Sequence, residues 1–153
     1  MNYQQKKAKY AYHLFKKGLP FKKAYAVVEK GDKFVVLNNL AKDRYSLSGG
    51  GVDRGEDNIA AVKREVMEEM NMEIEIARSL GVVSYPSDRK YKNHEFVLEC
   101  QAEIFYARFV GYGDNKDFGI KGEFSDNIRI VELTKEEMIK KVDTFTKLGV
   151  KLD

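Results

Sequence analysis

Residues 49–72 read GGGVDRGEDNIAAVKREVMEEMNM. Three glycines lead into a helix-forming run, and three glutamates, Glu65, Glu68 and Glu69, crowd together near its end. Asp57 is the expected N-cap. Ile59, Val62, Val66 and Met70 recur at helical spacing, which predicts a helix over 57–70 with an apolar stripe for the core. A stripe of carboxylates runs beside it. Glu65 and Glu69 are like charges at i,i+4, a repulsion of about 0.2–0.5 kcal/mol in an exposed helix. Solvated acidic faces tolerate a penalty that small, so crowding alone defines no site.

The approach to the helix adds what crowding lacks. Gly49, Gly50 and Gly51 precede it, and Gly55 and Glu56 lie just before its cap. Glycines permit tight turns and leave backbone amides and carbonyls bare, so a phosphate or a cation can come close. A hard cation such as Mg²⁺ takes oxygen ligands, a few of them carboxylates and the rest substrate phosphates and water. Carboxylates on one helix face beside a bare glycine loop supply that set. The residues by themselves point to a divalent-metal site that handles phosphate.

From Gly50 the chain runs glycine, five residues, Glu56, seven residues, then Arg64-Glu65-Val66-Met67-Glu68-Glu69-Met70-Asn71-Met72. This resembles the signature of the Nudix hydrolases, Gly-x5-Glu-x7-Arg-Glu-aliphatic-x-Glu-Glu-x-Gly-aliphatic, with every charged position met. The resemblance covers 23 of the 153 residues. One position departs: the family has glycine where this chain has Asn71, and asparagine is the next most tolerant residue for a left-handed helix end.

The resemblance implies an α/β (α+β) fold, an α/β/α sandwich around a central mixed sheet. It implies Mg²⁺ or Mn²⁺ held by Glu65, Glu68 and Glu69, with a carbonyl of Gly49 or Gly50 as a further ligand. Arg64 is expected to pair with carboxylates such as Glu56 and Glu65, fixing loop to helix. The implied reaction is hydrolysis of a nucleoside diphosphate linked to another moiety. Glu68 or Glu69 would position or deprotonate the attacking water. Glu123, in DNKDFGIKGEFSDN, is a further candidate because family members also use a later loop glutamate; its bland alternative is a solvated carboxylate.

The rest of the chain frames this segment. Residues 24–40 read as two strands around Gly31-Asp32, a two-residue hairpin signal. A short strand is expected near 44–47, and β-rich stretches at 73–85 and 94–110, with the polar PSDRKYKN between them as a loop. After a polar, glycine-rich stretch (111–126), NIRIVEL offers a last strand. Thr134 then opens a helix with Glu137 as its capping-box partner. At 153 residues, 43% hydrophobic and 33% charged, the chain suits one globular domain. No apolar run approaches the roughly 18 residues a membrane span needs. The N-terminus lacks the apolar core of a secretory signal, and the single Cys100 excludes an internal disulfide. A buried reduced thiol in a cytoplasmic protein is expected.

Charge divides the chain unevenly. Residues 1–23 carry seven lysines and no acid. Of 27 basic residues, 20 then remain against 24 acidic ones, so the rest is −4. The expected organisation is a basic arm over 1–23 and a single domain over 24–153. The arm has two readings: an attractor of polyphosphate or nucleic acid, or a terminal element that packs its tyrosines and wets its lysines.

Substrate choice lies outside the signature. Pro86 and Tyr91 stand near the positions of subfamily markers without matching cleanly. Tyr85, Tyr91, His94, Phe96, Phe105 and Tyr106 are candidate base-stacking residues, although strand spacing makes core packing the default for most. A small-molecule nucleotide is the expected partner, with a homodimer and an RNA 5′ end as weaker ones. A Nudix-fold module that senses nucleotides without cleaving them, and a nucleic-acid binder that uses the arm, are the competing classes.

Overall fold

The computed structural model describes residues 1–114 and 127–152. Helix α1 (Tyr3–Lys16) leads into strand β1 (Phe21–Lys30), and β2 (Lys33–Asn39) returns through the Gly31-Asp32 turn. Gly31 has φ +64°, the left-handed conformation such a tight turn requires. Strands β3 (Arg44–Ser46) and β4 (Ser48–Gly51) precede helix α2 (Asn58–Met70). The chain continues through β5 (Met72–Tyr91), β6 (His94–Tyr112), β7 (Ile128–Leu133), α3 (Lys135–Lys141) and the short α4 (Asp143–Thr146).

The described strands form one mixed sheet in the order β3-β2-β1-β6-β5, with β4 paired to β1 and β7 to β2. β1 and β6 run parallel, placing Phe21 opposite Cys100 and Val28 opposite Ala107. The other pairings are antiparallel. Helices cover both faces, which makes the expected sandwich. On one face Ala61, Val62, Val66 and Met70 of α2 pack against Ala24, Ala26, Val28 and Val35. On the other, Met138, Val142 and Phe145 pack against Val27, Val36, Ile104 and Leu133. Strand alternation explains why Ala26, Val27 and Val28 are all buried: neighbours point to opposite layers, and both layers are covered.

A third apolar cluster lies beneath α1. Ala11 and Leu14 cover Phe21, Phe96, Leu98 and Cys100, with Tyr10 and Tyr12 packed around them. The N-terminal segment is thus a helix, with an Asn2–Gln5 capping box, that seats Tyr10 and Tyr12 and leaves Tyr3, Lys6, Lys9, Lys16 and Lys17 exposed.

Two expectations are corrected. The polar segment 86–91 is strand, not loop; the turn is only Lys92-Asn93, with Lys92 at φ +52°. Exposure alternates along it, and Arg89 lays its guanidinium 5.2 Å from the centre of the Phe21 ring. Pro86 is accommodated because β5 is the edge of the sheet, where a missing N–H breaks no ladder. Ile59, assigned to the apolar stripe of α2, is instead 44% exposed. Among the described residues, no helix is long and apolar enough to cross a membrane.

Candidate active site

The site is assembled where β4 meets α2. Asp57 caps the helix by accepting from the Ala60 amide at 2.7 Å, which fixes where its first turn begins. At the other end Asn71 adopts φ 54°, ψ 41°, the left-handed cap that glycine would otherwise supply, and its amide donates to the Met67 carbonyl. With both ends set, the register of the glutamates against β4 is set too.

Arg64 is the hub. Its Nε donates to Glu56 Oε2 at 2.9 Å and its Nη2 to Glu56 Oε1 at 3.0 Å, a two-pronged grip. Nη2 also donates to the Gly51 carbonyl at 3.0 Å, and Nη1 reaches Glu65 Oε1 at 3.1 Å and Glu68 Oε2 at 3.4 Å. Asp53 Oδ2 stands 3.5 Å from Nη2. Glu56 closes its own loop by accepting from the Asp53 amide at 3.0 Å. The hydrogen bond from Arg64 holds the Glu56 carboxyl below the usual carboxylate range, against the opposing effect of burial. The same bond from Glu56 raises the Arg64 pKa, so the guanidinium stays charged. Loop and helix are thereby locked together.

The expected ligands lie around this hub. A Cβ on Gly50 would stand 2.8 Å from Glu65 Oε1 and 2.9 Å from its Cδ, so the glycine is what lets that carboxylate lie against the strand. Glu69 Oε1 accepts from Ser48 Oγ at 2.9 Å and from the Gly49 amide at 2.8 Å. Gly49 therefore meets Glu69 through its N–H. Glu68 is more open, its side chain about one-third exposed at 33% against 12% for Glu65. Glu123 lies outside the described residues.

Among the described residues, no three carboxylates converge as ligands of a single ion. Glu65 and Glu68 turn toward Arg64, and Glu69 toward β4. Their fit to a divalent cation rests on the donor set and on the cradle at Gly50: three hard oxygen ligands within five residues of one helix, against a strand stripped of side chains. Two contributors were not foreseen. Ser48, fully buried, anchors Glu69, and the Gly51 carbonyl anchors Arg64. The only signal for Ser48 was its place immediately before the glycines.

On the face of the sheet opposite α2, a recess of about 450 Å³ is lined by Tyr25, Tyr45, Tyr85, Leu47 and Asn39 among others. Tyr25 is paired with Gly49 across β1 and β4. Burial, then the neighbouring Tyr85, pushes the Tyr25 phenol well above its ordinary pKa, so it stays protonated. Burial likewise raises Tyr85. Of the other aromatic candidates, Phe96 and Phe105 are core. Tyr91 and His94 pack on Tyr12, the His94 ring stacking at 5.1 Å. Tyr106 hydrogen-bonds Glu29.

A mixed sheet between helices, with a glycine strand feeding a glutamate-rich helix, defines the class: an α/β sandwich whose site sits at the first strand-to-helix junction of this kind. The comparisons then specify it. The NUDIX domain family matches residues 21–145, and the chain belongs to that family. Its members generally work with a divalent metal. The mouse protein named diphosphoinositol polyphosphate phosphohydrolase 3-alpha is 34% identical over 71 residues, 46% of this chain and 43% of that protein. The human diphosphoinositol polyphosphate phosphohydrolase NUDT4B is 29% identical over 110 residues, 70% of this chain and 58% of that protein. The chain thus spans about half the length of these curated relatives. In fold it is similar to a MutT protein from Bacillus halodurans, with a TM-score of 0.60 and 20% identity over 80% of this chain and 73% of that one.

Proposed function

We infer that the chain is a divalent-cation-dependent pyrophosphohydrolase that cleaves a phosphoanhydride in a small phosphorylated molecule, a nucleoside diphosphate derivative in the first instance. The observation that carries this is the grip of Arg64 on Glu56 and Gly51, which sets Glu65 against Gly50 while Ser48 and Gly49 set Glu69.

Each residue has a distinct part in that reading. Arg64 neutralises the loop carboxylates and holds the β4–α2 turn against the helix, so the glutamates keep their places when a polyanion arrives. Glu65 and Glu69, the more constrained pair, are the ligands; Mg²⁺ or Mn²⁺ bound there would neutralise diphosphate charge as it builds in the transition state. Glu68, more open and held by Arg64 only at 3.4 Å, would take the proton of the attacking water in this reading. The tyrosine recess beyond β4 accepts the remaining moiety, with the Tyr25 phenol hydrogen-bonded to Tyr85 in its wall. The names of the curated relatives support extending the substrate class to diphosphorylated inositols.

The test is a panel of phosphoanhydrides: normal and oxidised nucleoside triphosphates, ADP-ribose, dinucleoside polyphosphates, 5′-triphosphate RNA and a diphosphoinositol. Turnover is followed with and without Mg²⁺, beside Glu68→Gln and Glu69→Gln. Metal-dependent cleavage that collapses in both variants is expected. Nucleotide binding without turnover in all three proteins would replace the hydrolase by a sensor.

A further inference from the structure

The family match begins at Phe21, so α1 lies outside it. Yet α1 forms one wall of a second cleft, of about 610 Å³, whose opposite wall is the turn Gly51–Arg54 that carries the Arg64 network. Lys6, Lys9, Tyr10 and His13 line the helical side, at the spacings that bring side chains to neighbouring positions on a helix. Arg54 lines the other side. Its guanidinium lies 5.1 Å from the centre of the Tyr10 ring, and Tyr10 in turn packs edge-on to Phe21 at 6.2 Å. Arg54 is therefore held in the cleft by an aromatic pair rather than merely hanging over it.

The charge in this cleft is one-sided. Lys6, Lys7, Lys9 and Arg54 line it, and Asp53 is the single acid among the described lining residues. That acid stands 3.5 Å from Arg64, so much of its charge is answered from the other direction. Like charges gathered around a concave surface concentrate a positive field that an anion relieves.

Position ties the cleft to the site. Gly50 faces Glu65, whereas its neighbour Gly51 faces Phe21 at the floor of the cleft: a Cβ there would stand 2.9 Å from the Phe21 ring. One extended strand separates the two. On β1, Lys23 is the register partner of Gly51 and shares the face of Phe21 and Tyr25. Its Nζ sits 5.8 Å from the Tyr85 ring centre, so a cation stands between the cleft and the tyrosine recess.

We propose that the cleft between α1 and the 51–54 turn is an anion subsite for phosphate groups of the substrate beyond the diphosphate being cleaved, so that the chain prefers multiply phosphorylated small molecules. The preference rests on the hydrolase reading above; the binding of anions in the cleft does not.

The test uses the full chain and a variant carrying Lys6→Gln, Lys9→Gln and Arg54→Gln, all at exposed positions, so the fold is kept. Inorganic tripolyphosphate is titrated calorimetrically without divalent metal. Binding is expected to weaken at least about tenfold in the variant, equivalent to about 1.4 kcal/mol. In turnover, KM for a dinucleoside polyphosphate rises by a similar factor at unchanged kcat, while ADP-ribose, with only its scissile diphosphate, is unaffected. Equal tripolyphosphate affinity in the two proteins overturns the proposal. So does a 5′-hydroxyl RNA that binds as tightly as tripolyphosphate and is lost in the variant, which would make the cleft a nucleic-acid surface. A wild-type protein that cleaves nothing overturns the hydrolase reading alone, because the calorimetry still decides the cleft.

Discussion

Replacing Gly50 by alanine separates the chemistry of this site from its stability. The added methyl would stand 2.8 Å, 2.9 Å and 3.1 Å from Oε1, Cδ and Oε2 of Glu65. Ordinary contact needs several tenths of an ångström more, and the atoms that must give way are the end of a side chain. Overpacking of that kind costs about 1 kcal/mol, the low end of its usual range, because a carboxylate can swing where a backbone cannot. The same swing moves Glu65 off the strand and off the Arg64 Nη1 it meets at 3.1 Å. A ligand misplaced by such a fraction of an ångström to an ångström is expected to lower kcat/KM by about 100-fold. Thermal unfolding and calorimetric Mn²⁺ titration, run beside steady-state kinetics, read the two effects independently. Full activity with undiminished Mn²⁺ affinity in Gly50→Ala would refute the assignment of Glu65 as a ligand cradled by that glycine. Gly49→Ala is the contrast. Its methyl would meet the backbone of β1, with Tyr25 Cα only 2.6 Å away, so loss of folding is expected there.

Arg64→Lys keeps the charge and removes the fork; with Arg64 27% exposed, a loss of about 2 kcal/mol in urea unfolding is expected after allowing for solvent screening. The depressed Glu56 carboxyl gives this clamp a pH signature. Its stabilisation is fully present above the usual carboxylate value of 4.5 and is lost as pH falls through the lower folded value, so Glu56→Gln flattens the acid limb of stability against pH, and an unchanged limb would contradict it. At Asn71, alanine in the left-handed cap is expected to cost about 1 kcal/mol and glycine to be neutral or better, read from the unfolding midpoints.

What the sequence disclosed, it disclosed through local rules. Asp57 and Asn71 bounded α2 because caps depend on a few adjacent atoms, and the Thr134–Glu137 box marked α3 for the same reason; both halves of that box are formed. The extension of β5 through 86–91 was hidden because its inward positions are Ser87, Arg89 and Tyr91, polar or amphipathic residues; Arg89 packs on Phe21 of β1 and Tyr91 on Tyr12 of α1. Ile59 misled because periodicity assigns a face without saying how far the neighbouring layer reaches. At the site, charged spacing located Glu56, Arg64, Glu65, Glu68 and Glu69 together. Spacing says nothing, however, of which way a carboxylate turns, and so missed both the anchoring of Glu69 by Ser48 and the turning of Glu68 toward Arg64.

The docking of α1 over Cys100 furnishes the molecule with its own gauge. The thiol is fully buried beneath Ala11 and Leu14 in the N-terminal cluster, and no second cysteine exists to confuse its signal. A thiol reagent added under native conditions can reach it when the helix lifts away or when the whole domain opens. Comparing the labelling rate with the global unfolding rate therefore measures how firmly the lysine-bearing helix is latched. A polyanion that bridges α1 and the 51–54 turn would slow that rate without touching the sulfur.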